Sequence, residues 1–202
     1  MNKKELLEHL KLRGFKEEVL NAFKKVKREN YLHKALKPYA YEDNALPLGE
    51  GATLSQPYTI ALMLSLLELK DNQKILEIGS GSGYVLDLIS QMIKKGKIYG
   101  IEIKKSLAED SKKVLSKNKK VTILNKDGSY GLESHAPYDR IILSAASDEI
   151  PEHLYSQLKD DGIIVAPVKR SIFQIKKHKN NISIKESPGF VFIPLVRKEK
   201  PI

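Results

Sequence analysis

The run Glu77-Ile78-Gly79-Ser80-Gly81-Ser82-Gly83 puts a carboxylate at the end of an apolar stretch, with three alternating glycines directly behind it. Glycines here let the backbone turn sharply and let a ligand lie against the main chain. The G-x-G-x-G spacing is shorter than the G-x-G-x-x-G that seats a dinucleotide pyrophosphate. An acid beside the turn would repel a pyrophosphate, yet it suits a ligand carrying an ammonium or sulfonium. The pair of features points to S-adenosylmethionine, with Gly79, Ser80, Gly81 and Gly83 around it. The plainer role for Glu77 is to accept loop N–H groups. Glu102 follows Gly83 by 19 residues, the place of an acid that accepts both ribose hydroxyls. Its plainer role is pairing with Lys104 or Lys105. Asp127-Gly128 is expected on the same crevice, where Asp127 could accept from an adenine amine and Gly128 turns the chain. Asp-Gly is also an ordinary turn signal.

The acceptor side offers less. "GEGATLSQPY" (49 to 58) contains Thr53, Ser55 and Gln56 just ahead of Pro57. Ser55 reads either as a reactive-site hydroxyl or as the cap of the helix that follows. No G-x-S-x-G elbow supports a serine hydrolase. The five histidines show no H-E-x-x-H spacing, so no metal is expected. The stretch Ser144-Ala145-Ala146 lacks the Asn/Asp-Pro-Pro-aromatic pattern that holds a base amine. Cysteine is absent, which removes disulfides, thiolate metal sites and attack on a pyrimidine ring.

Periodicity supplies the elements that must position these residues. Two short helices are expected before residue 36, the first with Leu6, Leu7 and Leu10 and ended by Gly14, the second with Val19, Leu20, Phe23 and Val26. Residues 37 to 56 read as a long, irregular, ordered loop. A helix over 58 to 69 precedes strands at 74 to 78, 97 to 103, 121 to 124, 140 to 143 and 163 to 168. Helices are expected at about 84 to 95, 105 to 117 and 150 to 158, the last with Pro151 in its first turn. Asp160-Asp161-Gly162 turns the chain into the fifth of those strands. Three further strands, at 171 to 176, 181 to 185 and 189 to 196, follow without helices. The fold class is therefore α/β: a Rossmann-like, mostly parallel doubly wound sheet with an antiparallel C-terminal edge and an N-terminal helical extension. Residues 1 to 56 would form the helices and active-site loop, and 57 to 202 the S-adenosylmethionine-binding core, within one domain.

The chain has 202 residues, 41% hydrophobic and 30% charged, which suits one soluble domain. No apolar run is long enough to span a membrane. The charged N-terminus lacks the pattern of a secretory signal, so a cytoplasmic enzyme is the expectation. The net charge of +10 comes mostly from lysines on helix faces. Residues 169 to 185 hold six Lys or Arg and no acid, and read as a hairpin edge guarded by lysine. Aromatics are not interleaved there, so nucleic acid is not the expected partner.

Taken together, "YEDNALPLGEGATLSQPYTIALM", "ILEIGSGSGY" and "DRIILSAASDEIPEHLYSQLKDDGIIVAPV" resemble the protein-L-isoaspartate O-methyltransferase family, from about residue 15 through "GFVFIPLV" at 189 to 196. The segment 46 to 58 is the specific part; the glycine turn is shared by many methyltransferases. The resemblance implies methyl transfer from S-adenosylmethionine to the α-carboxyl of L-isoaspartyl residues in damaged proteins or peptides, leaving S-adenosylhomocysteine. The ester can then collapse to a succinimide that hydrolyses partly to normal aspartate. It makes Ser55 the active-site hydroxyl, with Thr53 beside it. Gln56, Ser144, Ala145 and Ala146 fall on the substrate side. The chain departs at Asp161-Gly162, where the family often has Gly-Gly, and at Ser147-Asp148, where a more apolar pair is usual. The latter bears on which peptides fit. A monomer is expected. The competing readings are a relative that methylates another peptide carboxylate, and a basic RNA-associated methyltransferase or adaptor.

Overall fold

The computed structural model describes residues 1–149, 153–179 and 181–196. Two short helices come first, α1 (Lys3–Leu12) and α2 (Glu17–Lys25), then two 3₁₀ turns and a hairpin, β1 (Leu46–Gly49) and β2 (Ala52–Leu54). Helix α3 (Pro57–Leu66) leads into β3 (Gln73–Ile78), α4 (Tyr84–Met92), β4 (Gly96–Glu102), α5 (Lys105–Val114), β5 (Val121–Asn125) and β6 (Tyr138–Leu143). The chain closes with α6 (His153–Ser156), β7 (Leu158–Val168), β8 (Ser171–His178) and β9 (Asn181–Pro188).

The large sheet has seven strands in the order β5-β4-β3-β6-β7-β8-β9. The first five are parallel, and β8 and β9 are antiparallel. Strand alternation divides the core in two. Ile75, Ile98, Ile123 and Ile142 pack with α1 to α5, while Leu76, Ile78, Ile101, Ile141 and Leu143 pack with Leu132 and Leu154. That period of two is what a sheet covered on both faces requires. Chain order reverses between β3 and β6, so the crevice at their carboxyl ends is the switch point where such sheets take ligands.

The expected parallel core is present, with ends shifted by a few residues. Three expectations change. Residues 37 to 56 are not uniformly irregular, because the hairpin and a 3₁₀ turn over Lys34–Tyr39 lie within or against them. The Asp160-Asp161-Gly162 turn is absorbed into β7 as an irregularity in its pairing with β6. Residues 189 to 196 do not form a strand. Gly189 adopts φ +96, which takes the chain off β9; the segment then packs Phe190, Phe192 and Leu195 against the core and forms a backbone bridge between Pro194 and Ala146. The expected helix at 150 to 158 is seen as His153–Ser156; Ile150, Pro151 and Glu152 lie outside the described residues.

Candidate active site

The glycine turn sits where the sheet reverses. Gly79 and Ser80 donate their N–H groups to Ile101 O at 2.9 and 3.0 Å, which ties the turn to β4. Gly83 precedes α4 with φ +83, and a Cβ there would come within 2.9 Å of Leu115 Cδ1. Only glycine meets both conditions. Glu102, 5% exposed, accepts from Gly81 N at 2.7 Å and from Lys104 N at 2.8 Å, one bond on each oxygen. The carboxylate that stabilises the loop is thus Glu102, by backbone bonds, and Lys104 and Lys105 do not pair with it. Lys105 pairs instead with Glu109. Each oxygen of Glu102 retains acceptor capacity for a ligand hydroxyl.

Glu77 accepts no loop N–H. It is 1% exposed, and its Oε1 accepts from Ser144 Oγ at 2.6 Å across the β3–β6 switch point. Its Oε2 is buried without a partner, as are Ser80 Oγ and Ser82 Oγ. Burial pushes the Glu77 carboxyl up to about 8; the Ser144 hydroxyl opposes this and the Glu102 charge adds to it. Asp127 Oδ1 accepts from Ser129 N at 2.8 Å in a local turn. The next residue must be glycine, since a Cβ on Gly128 would meet Ile78 Cγ2 at 2.9 Å and Ile101 Cγ2 at 3.2 Å.

The hairpin brings the acceptor side over this turn. Glu50 and Gly51 both have positive φ, which makes a tight two-residue connection that matches strand twist. The Glu50 carboxylate accepts from Ser106 Oγ on α5, and Leu48 lies 3.5 Å from the Cβ position of Gly81. Beyond β2, the helix starts at Pro57 as the sequence suggested, but Ser55 is not its cap. Gln56 occupies the cap position without a side-chain cap bond, and Asp43 Oδ1 accepts from Tyr58 N at 2.8 Å. Ser55 therefore serves no cap, and its hydroxyl has no hydrogen-bond partner among the described residues. Gln56 makes only a long 3.5 Å contact with Thr59.

One cleft of about 860 Å³ gathers most of the expected residues: Thr53, Ser55, Gln56, Gly79, Gly81, Glu102, Gly128, Ser144 and Ala145. That is near the upper end of roughly 300–1,000 Å³ for ligand sites, room for a cofactor and part of a second reactant. Glu77 and Ser80 line a smaller adjoining recess with Thr53 and Ser55. Gly83, Asp127 and Ala146 line neither. Gly83 shapes the loop, and Ala146 exchanges backbone bonds with Ile193 and Leu195. Arg13, Asp43 and the strap from Pro188 to Val196 also line the cleft. None of these was singled out by sequence, although the alternating Phe190 and Phe192 were the visible signal for the strap. Among the described residues no three His, Asp or Glu side chains gather as a metal group, and no helix is long and apolar enough to cross a membrane.

Comparison with known proteins gives a consistent result. The family described as Protein-L-isoaspartate(D-aspartate) O-methyltransferase (PCMT) matches residues 1–200. A Protein-L-isoaspartate O-methyltransferase from Petrotoga mobilis is 42% identical over 196 residues, covering 93% of this chain and 91% of that protein. One from Dictyoglomus thermophilum is 43% identical, covering 96% and 90%. Among solved structures, a protein-L-isoaspartate O-methyltransferase superposes with TM-score 0.87 at 29% identity, over 96% of this chain and 65% of that longer one. A beta-aspartate methyltransferase (PCMT) from Plasmodium falciparum, in complex with S-adenosyl-L-homocysteine, gives 0.84 at 27% identity, over 98% and 100%.

Proposed function

The chain belongs to the protein-L-isoaspartate(D-aspartate) O-methyltransferase family, and from that premise we propose how its cleft divides the work. The reaction is methyl transfer from S-adenosylmethionine to the free carboxyl of an L-isoaspartyl residue. The buried Glu77 Oε2 beside the glycine turn fits a cationic ligand, and the Gly128 cradle between Ile78 and Ile101 fits a flat ring. In this reading Glu102 accepts from ribose hydroxyls, Gly128 borders the adenine with Asp127 holding its turn, and Gly79 and Gly81 let the ligand approach the main chain. S-adenosylmethionine, when bound, supplies an electrophilic methyl group.

The residues of the chain then have a limited task. The acceptor carboxylate is ionised near neutral pH, so no strong general base is needed. Ser55 donates a hydrogen bond that orients it; Thr53 and Gln56 shape the same loop, Ser144 and Ala145 border the acceptor, and Ala146 holds the strap that borders it. Tyr58, Phe190 and Phe192 exclude water and hold the reactants in line. The observation that carries this reading is Ser55, which lines the cleft and serves no cap. We take residues 1 to 56 as the helices and active-site loop of one domain with the core at 57 to 202, acting as a cytoplasmic monomer. Nucleic acid is not part of this reading; in its support, two of the basic residues in 169 to 185 are engaged within the protein, Lys176 with Glu68 and Lys177 with the carbonyls of Tyr155 and Leu158.

Ser55→Ala is expected to lower methyl transfer to an isoaspartyl peptide by roughly ten- to hundred-fold, the worth of about 1.5–3 kcal/mol for a charge-assisted bond. Cofactor affinity by calorimetry should stay within about twofold. Loss of cofactor binding in this variant contradicts the orienting role. Equal methylation of matched isoaspartyl and aspartyl peptides by the unmodified enzyme contradicts the substrate.

A further inference from the structure

We infer that Arg13 is a specificity-determining residue: its guanidinium, laid on Tyr58 at the rim of the cleft, takes an Asp or Glu side chain near the isoaspartyl residue of the substrate. The inference rests on the reading above that the cleft accepts an isoaspartyl peptide. Arg13 is the C-terminal cap residue of α1 and is exposed, and it lines the cleft together with Ser55, Gln56 and Tyr58. Its guanidinium carbon lies 5.4 Å from the centroid of the Tyr58 ring. Phe15 meets that ring edge-on at 5.5 Å, and Phe190 of the strap stacks on it at 6.4 Å and 9°. Tyr58 is therefore a fixed platform.

The neighbouring charges decide what the arginine can take. Three carboxylates line the cleft, and each is engaged inside the protein. Asp43 accepts from Tyr58 N, Glu50 from Ser106, and Glu102 from Gly81 N and Lys104 N. None pairs with Arg13, which forms no ion pair among the described residues. Lys104 also lines the cleft, but next to Glu102 on the glycine-turn side. A guanidinium held over an aromatic ring by a cation–π contact keeps N–H groups free to bind a carboxylate through two parallel bonds. The same contact holds it beside Tyr58, three residues past Ser55 and on the same cleft, within reach of residues flanking the one that reacts. Its partner is thus a flanking side chain, while Ser55 serves the reacting carboxylate.

The test compares matched isoaspartyl hexapeptides carrying one Glu or one Gln at each flanking position in turn. The unmodified enzyme is expected to favour Glu at one or more positions by roughly three- to fivefold in kcat/KM, expressed in KM, as for an exposed ion pair. Arg13→Gln should bring that ratio to about one, and Arg13→Lys should keep part of it. The preference should shrink as salt is added. A Glu/Gln ratio that is the same in the unmodified enzyme and Arg13→Gln, or no Glu preference at any position, overturns the inference. Failure of the unmodified enzyme to methylate any of the peptides sinks the underlying functional reading, and this inference with it. Thermal unfolding of Arg13→Gln checks that the exposed substitution leaves the fold intact.

Discussion

Glu77 and Glu102 are buried carboxyls on neighbouring parallel strands, yet their surroundings treat charge differently. Glu102 has a backbone N–H on each oxygen, whereas Glu77 has one hydroxyl and a bare Oε2. Burial accordingly raises the Glu77 carboxyl from the ordinary 4.5 to about 8. Between those values the unfolded chain has lost the proton that the folded chain keeps. Stability of the ligand-free protein should therefore fall as pH rises through that window and level off above about pH 8. Glu77→Gln should flatten this slope in urea titrations across the window; an unchanged slope assigns it elsewhere. A cation placed beside Glu77 favours its ionised form, so S-adenosylmethionine binding below about pH 8 should release a proton. Calorimetry in buffers of different ionisation enthalpy reads this directly. The buffer dependence should vanish in Glu77→Gln, and its absence in the unmodified protein would separate the ligand from Glu77.

Helix α3 carries Ser55 and Gln56 at its entrance, and both its ends are held by residues remote in sequence. Asp43 accepts from Tyr58 N at the start. At the end, Arg140 donates to Leu67 O and Glu68 O at 2.5 and 3.0 Å, and Gln174 donates to Leu66 O. These satisfy backbone groups that a helix cannot pair internally. Asp43→Ala should cost about 1 kcal/mol of stability, as for a lost cap, and should also lower methyl transfer because the Ser55 segment loses its anchor. Arg140→Leu should cost more, about 2–3 kcal/mol, with little effect on KM for peptide. A comparison of urea midpoints with peptide kinetics separates the two, and equal kinetic defects would break the link between Asp43 and Ser55. The same contacts explain what the sequence could reveal. Apolar runs bounded by glycine, proline or polar turns made β3, β4, β5 and β6 legible, and with them the positions of Gly79 to Gly83 after β3, Glu102 at the end of β4 and Asp127 just past β5. The hairpin was hidden because Pro47 and the left-handed pair Glu50-Gly51 interrupt the alternation of Leu46, Leu48 and Leu54. Asp43 and Arg13 carry no local signal, since each acts only through a side chain or backbone brought near by folding. The alternation in 189 to 196 was genuine. It faces the cleft instead of pairing in the sheet, because the chain leaves β9 at Gly189.

At the scale of the whole molecule, closing the sheet with β8 and β9 moves its antiparallel edge away from the cleft but leaves it open to other chains. β9 is exposed along nearly its whole length, with Ile182 at 41% and Ile184 at 56% exposure. Among the described residues its outer backbone groups form no ladder, and such an edge invites pairing with a second copy. Two features oppose that. Lys185 puts a charge on the edge strand directly after Ile184, on the opposite face from Ile182 and Ile184, and a net charge of +10 makes copies of the chain repel one another. Salt weakens the second and leaves the first in place. Lys185→Val should therefore self-associate as salt is raised, read by light scattering or sedimentation, under conditions where the unmodified protein stays monodisperse. Ile184→Lys should stay monodisperse throughout and retain methyl transfer, since this part of β9 does not line the cleft. If Lys185→Val behaves like the unmodified protein at every salt concentration, the lysine is not the guard of this edge, and net repulsion alone must keep the copies apart.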